Sequence, residues 1–301
     1  MRELNRRRFL QSTLAGAGAL AAAPLRLSMP EPARAAASYR GSDIVALGRT
    51  GIRVSRLAHG TGFNGYNRSS DHTRLGEKSF DALLRHSLDS GITFLDMADL
   101  YGTHPFVRNV VKGIPREKLV MLSKIWPRQE SWNKASGGAK EEVDRYRKEL
   151  DTDRIDVCLI HCMMNAKWPD EFARVRDELS ELKEKGVIRA AGVSCHDLGA
   201  LKTAAEHPWV DVIFARINNM GGSRHSMDGT AEEVSGVLKQ ARANGKAVVG
   251  MKIFGAGKLV QPEQKDASLR YVLTNGLVDA ITIGMLKPAE TDDALQRMSQ
   301  I

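Results

Sequence analysis

Val157-Cys158-Leu159-Ile160 is apolar at every position. A strand wet on one face alternates, so this unbroken run predicts a parallel strand covered on both faces. Downstream, Phe172, Val175, Leu179 and Leu182 share one face at helical spacing within 170–185. Lys185-Gly186 stops that helix, because glycine takes positive φ freely. A second apolar strand, 188–193, follows at once. The same unit repeats in both directions. Strands are predicted at 56–60, 92–97, 120–125, 155–160, 188–193, 210–217, 247–253 and 279–284. Helices are predicted at 77–90, 105–112, 139–150, 170–185, 198–206, 230–244, 267–274 and 289–299. Eight strands, each followed by a helix, over about 240 residues predict a (β/α)8 TIM barrel. Val45 to Val54 reads as a short β-hairpin ahead of it. A doubly wound open sheet is the rival. It needs a glycine-rich phosphate turn after the first strand, and Gly60-Thr61-Gly62 lacks the third glycine.

Of the 301 residues, 42% are hydrophobic and 27% charged, which excludes a disordered, collagen-like or coiled-coil chain. Three cysteines exclude a disulfide-built scaffold. The net charge of +8 invites a nucleic-acid reading, but half of it lies in residues 1–37. That segment opens on Asn5-Arg6-Arg7-Arg8-Phe9-Leu10. An Ala/Leu/Gly run over 14–25 follows, then A-x-A cleavage options ending at Ala35 or Ala37. The run is shorter than the ~20 apolar residues a membrane span needs. The segment resembles a twin-arginine (Tat) export signal. It implies removal of 1–37, a mature barrel over 38–301, the Tat export machinery as partner and a periplasmic or otherwise exported location. No second apolar segment appears, so no transmembrane segment is expected in the mature protein. Elsewhere basic residues interleave with acids, as in Lys183-Glu184-Lys185, so nucleic acid is not expected as a partner.

Barrel active sites form at the C-terminal strand ends. The second predicted strand ends at Asp96, with Tyr101 just beyond. The third ends in Ser123-Lys124, and the fourth at His161. These strands are neighbours in a barrel, so the four side chains can converge. A buried lysine favours phenolate and lowers the pKa of an adjacent tyrosine. Asp96 keeps the lysine charged, and His161 orients a carbonyl. Such a tyrosine protonates a carbonyl oxygen as hydride reaches the carbon, and runs in reverse on an alcohol.

With these residues in order, the chain resembles the aldo-keto reductase family. The likeness rests on Leu47-Gly48-Arg49-Thr50-Gly51, Asp96-x-Ala98-x-x-Tyr101-Gly102, Ser123-Lys124, Ile160-His161, Gly192-Val193-Ser194 and Ile283-Gly284, and runs over about 44–295. It implies a TIM barrel, NADP or NAD across the mouth, and hydride transfer between that cofactor and a small-molecule aldehyde, ketone or alcohol, sugar-like ones included. By that resemblance Tyr101 is the general acid, Asp96 and Lys124 tune it, and His161 orients the substrate. The matching cofactor contacts are Gly60, Thr61 and Gly62 at the first strand end, and Ser194 and Cys195 at the fifth. Phe214 is the match on the sixth strand. Lys252, Phe254, Gly255 and Gly257 form a pyrophosphate loop, and Gly284 and Lys287 close the set. The pattern departs from the family in Cys195, where an asparagine is usual. It departs again at Phe214 and Ile217, where a glutamine and a stacking aromatic are usual. Glu290 falls where NADP-using relatives carry a basic residue, so weak NADP preference is expected.

Cys158 reads as core. Cys162 and Cys195 follow adjacent strand ends, close enough to bond in an oxidising compartment. Metal-ligand spacing is absent, and no metal is expected. Trp126, Trp132 and Trp168 follow strands three and four, where an aromatic-walled pocket would form. The last helix ends close to Ile301, so an open pocket is expected. Two alternatives stand beside the reductase: a barrel that binds a ligand or partner without turnover, and nonredox chemistry using the Tyr/Lys base, such as an elimination on a sugar.

Overall fold

The computed structural model describes residues 39–128 and 138–301. Residues 1–37, the expected export signal, and Trp132 lie outside the described residues. The chain opens with β1 (Ile44–Ala46) and β2 (Arg53–Ser55), an antiparallel hairpin. There follow β3 (Leu57–Gly60), α1 (Asp71–Arg74), α2 (Glu77–Asp89), β4 (Phe94–Asp96), α3 (His104–Val111), β5 (Val120–Ile125) and α4 (Ala139–Leu150). Then come β6 (Ile155–Met163), α5 (Trp168–Glu171), α6 (Ala173–Glu184), β7 (Ile188–Cys195), α7 (Leu198–Glu206), β8 (Val212–Arg216) and α8 (Ala231–Ala243). The last elements are β9 (Ala247–Met251), α9 (Pro262–Thr274), β10 (Ala280–Gly284) and α10 (Pro288–Ser299). Strands β3 to β10 are parallel and close into a barrel, with β10 pairing back onto β3. The predicted TIM barrel with its leading hairpin is the fold.

Strand alternation sorts the side chains. Ala58, Phe94, Leu122, Leu159, Val212, Phe214 and Val249 fill the barrel interior. Leu95, Met121, Cys158, Ile160, Val193 and Ile213 face the helix layer. The hairpin closes the N-terminal end with Leu47, Ile52 and Val54, all packed into the interior cluster. Its turn residue Gly48 (φ +51°) lies so close to β9 that a Cβ there would sit 2.5 Å from the Ala247 nitrogen.

Three departures from the sequence reading have local causes. The helix expected at 267–274 begins at Pro262, whose fixed φ suits a first helical position. The helix expected over 170–185 breaks at Phe172 into α5 and α6. Strand β6 runs past Ile160 to Met163 through an irregularity, with Cys162 at φ +68°. Among the described residues no helix is long and apolar enough to cross a membrane, and no group of three or more His, Cys, Asp or Glu side chains can hold a metal ion.

Candidate active site

The inward alternation, carried one step past the apolar layers, delivers Asp96 from β4, Lys124 from β5 and His161 from β6 to the mouth. All three are buried. Tyr101 joins them from a single 3-10 turn, Asp99–Tyr101, after β4. Its ring lies against the loop after β3 so closely that a Cβ on Gly62 would come within 2.3 Å of it.

Lys124 Nζ is the hub. It ion-pairs with Asp96 Oδ1 and donates to the Met97 carbonyl at 3.0 Å. It stands 3.4 Å from Tyr101 Oη, and 4.9 Å from the centroid of the Tyr101 ring. Thr282 Oγ1 donates to the second Asp96 oxygen at 2.9 Å. The His161 ring meets Tyr101 edge-on at 5.7 Å and Trp126 at 5.7 Å. His161 Nδ1 and Trp126 Nε1 are both buried without a hydrogen-bond partner among the described residues.

Burial, then the Asp96 carboxylate, pushes the Tyr101 phenol well above its ordinary value. This reverses the expectation that Lys124 would lower it. The ammonium faces Asp96 at closer range than it faces Tyr101, so its field at the phenol is offset. Tyr101 therefore rests as a protonated donor. Burial lowers the Lys124 pKa against the opposing pull of Asp96. Burial, followed by the charge of Lys124, holds His161 well below 6.5, so its imidazole is neutral.

A cleft of about 330 Å³ opens beside Asp96 and Tyr101. Of the expected cofactor contacts, Gly60, Gly62, Lys252, Phe254, Gly257 and Gly284 line it. The remaining expected contacts lie elsewhere. Thr61 is buried behind the wall, its N–H and hydroxyl donating to the Asp96 carbonyl at 3.0 and 2.9 Å. Ser194 Oγ accepts the Cys162 N–H at 2.8 Å. Cys195 is on the outer face of β7, in the helix layer. Phe214 sits inside the barrel, its ring centroid 5.0 Å from Lys124 Nζ. Gly255 packs near Leu259 and His225. Lys287 is exposed at the start of α10. Cys158, Cys162 and Cys195 are free thiols. Trp168 is buried against Trp209 and His207 in the helix layer, whereas Trp126 meets His161 at the site.

Sequence reasoning missed Phe63, Met251 and Lys265 in the cleft wall. It also missed Arg216, which ends β8 at the mouth, paired with Asp228 at 2.7 Å. Met251 and Arg216 were within reach, since each is the last inward position of its strand. The cleft combines side-chain-free backbone, two lysines and two phenylalanines. That donor set fits an extended anion carrying flat rings, as a nicotinamide dinucleotide does.

The model of the aldo/keto reductase family matches residues 58–298. The chain is similar to the aldo-keto reductase YhdN of Bacillus subtilis (strain 168), 29% identical over 172 residues, 54% of this chain and 49% of that protein. It is similar also to the methylglyoxal reductase YeaE of Escherichia coli (strain K12), 26% identical over 162 residues, 52% of this chain and 51% of that protein. The matched stretches span about half the length of these curated relatives. Among solved structures, the holo form of aldo-keto reductase AKR11C1 from Bacillus halodurans shares the fold at a TM-score of 0.67. It is 22% identical, covering 85% of this chain and 90% of that one.

Proposed function

The chain belongs to the aldo/keto reductase family, and on that premise we propose that it reduces aldehydes or ketones to alcohols with a nicotinamide dinucleotide. The observation that carries this is Lys124 Nζ bridging toward both Asp96 and Tyr101 Oη in a buried layer beside a neutral His161. The cleft residues would hold a reduced nicotinamide, which when bound would supply hydride to the carbonyl carbon. Tyr101 gives its phenolic proton to the carbonyl oxygen, completing the alcohol. The tyrosinate left behind faces Lys124, whose charge favours it. His161, uncharged, can donate one hydrogen bond to the same oxygen and orient it. Lys252 and Lys265 would hold the phosphates, and the glycine-lined floor would let backbone approach them.

The reading includes NAD preference and export. Glu290 lines the cleft while its carboxylate accepts the Leu286 N–H at 2.7 Å. A fixed carboxylate there repels a 2′-phosphate. Residues 1–37 supply the order of charge, apolar run and small-residue site that export through the Tat machinery requires. Titrating the protein with NADH and NADPH by fluorescence, then adding a panel of aldehydes and ketones, tests the reading. Tighter NADH binding and carbonyl-dependent oxidation are expected. Selective NADPH binding overturns the cofactor preference. No oxidation with any carbonyl overturns the reductase and favours a binding barrel, a reading supported by the Phe214 ring lying in the core rather than in the cleft.

A further inference from the structure

Tyr101 and Lys124 come from different elements, yet a proton can pass usefully only if both hold their places. The groups that hold them meet on one helix. Asp99, two residues before Tyr101 and in the same turn, has a fully buried carboxylate. Arg145 of α4 faces it at 2.8 Å and Arg68, from the loop after β3, at 3.5 Å. The next residue of α4, Tyr146, donates its hydroxyl to the Lys124 carbonyl at 3.3 Å. One turn on, Glu149 accepts from Arg145 at 2.8 Å and from Arg68 at 2.5 Å. Its second oxygen bonds His104 Nδ1 at 2.8 Å, and His104 Nε2 bonds Ser123 Oγ at 2.9 Å, beside Lys124. Glu142 completes the helix's grip on Arg145.

We propose that α4 positions the Tyr101–Lys124 pair, with Asp99–Arg145 fixing the tyrosine turn and Tyr146 fixing the lysine backbone. Asp99 and Tyr146 are positioning residues that need touch neither carbonyl nor cofactor. Their catalytic consequence rests on the reductase reading; their structural consequence does not.

The charges facing Asp99 are Arg68 from the loop, Arg145, Glu142 and Glu149 from α4, with His104 of α3 beyond them. Burial outweighs the two arginines and raises the Asp99 pKa to about 6. Glu149 is held at about 2 against burial, chiefly by His104 and Arg145, and burial lowers the His104 pKa. So as pH falls through about 6 the Asp99 end of the grip lets go while the Glu149 end stays charged.

The test pairs kinetics with ¹³C-tyrosine NMR. Tyr101 is one of five tyrosines and is assigned through Tyr101→Phe. In the parent, the Tyr101 resonance and kcat should step together near pH 6, with kcat falling on the acid side. Asp99→Asn should show no step and should stay at the acid-side level. Its kcat should be about tenfold to a hundredfold below the parent at pH 8, with KM little changed, the scale expected for small misplacement of a reacting group. Asp228→Asn, which removes the other acid raised by burial to about 6, should keep the step. Tyr146→Phe, which deletes one hydroxyl, should lower kcat without moving the step, and serves if Asp99→Asn does not fold. A parent without the resonance step, a step retained in Asp99→Asn, or unchanged kcat in Tyr146→Phe overturns the proposal. If the parent reduces no carbonyl, the reductase reading fails while the NMR comparison still decides the positioning.

Discussion

The two ends of the barrel handle buried polarity in opposite ways. At the N-terminal end Leu47, Ile52 and Val54 of the hairpin seal the interior with apolar groups. The buried acid nearest that end, Asp156, is matched by Arg116 at 2.6 Å, Arg189 at 3.0 Å and the Met121 N–H at 2.9 Å. At the C-terminal end a lysine and an aspartate are buried together, and His161 Nδ1, Trp126 Nε1, Arg216 Nε and Asp228 Oδ2 are buried unmatched among the described residues. Orphaned buried groups cost stability. Arg56 Nε, just ahead of β3, is orphaned as well, so what sets the mouth apart is its buried Lys124–Asp96 pair and its larger number of orphaned groups, a cost that fits chemistry at that end.

The comparison breaks most visibly at the buried ion pair. Asp96→Asn combined with Lys124→Met should abolish carbonyl reduction, yet leave thermal stability equal or higher. Replacing a buried pair by uncharged groups is often neutral or stabilising by about 1–4 kcal/mol. A fall in both activity and melting temperature would mean that the pair is also a stabilising element. Leu47→Ala, at the sealed end, should do the reverse. It should cost about 2–5 kcal/mol in urea unfolding with kcat unchanged.

A smaller effect appears with pH. His59, His72 and His196 lie on the mouth half, and burial lowers their pKa values to about 3, 4 and 3. Their unfolded forms protonate near 6.5, so the stability they allow is present above that pH and is lost as pH falls below it. Each should cost about 1.4 kcal/mol per pH unit. Urea midpoints at pH 7.5 and about 5.5 should differ accordingly, and His196→Asn should flatten the slope. The smallest change is at the rim. Glu290→Arg should move cofactor preference toward NADPH by about tenfold, some 1.4 kcal/mol, without altering stability.

Much of this was legible in the sequence because it depends on period. Apolar runs such as 157–160 fixed strand identity, and counting strand ends put Asp96, Lys124 and His161 on one rim. What escaped reading depends on side-chain direction or distant contact. Cys195 looked like a mouth residue by position, but alternation turns it outward. Phe214 points inward yet stops one layer below the cleft. The raised Tyr101 pKa comes from burial first and from the Asp96 carboxylate second, and no spacing reveals either. Arg145 and Tyr146 lie within the helix expected at 139–150, and only the fold sets them beside Asp99 and Lys124.

The central claim is that Tyr101 is the proton donor. The direct measurement is carbonyl-dependent oxidation of reduced nicotinamide by the parent and by Tyr101→Phe, alongside cofactor binding to each. The expected result is a kcat lower by about 10²–10⁴-fold in Tyr101→Phe, with cofactor affinity and melting temperature unchanged. Equal turnover by the two proteins would contradict the account.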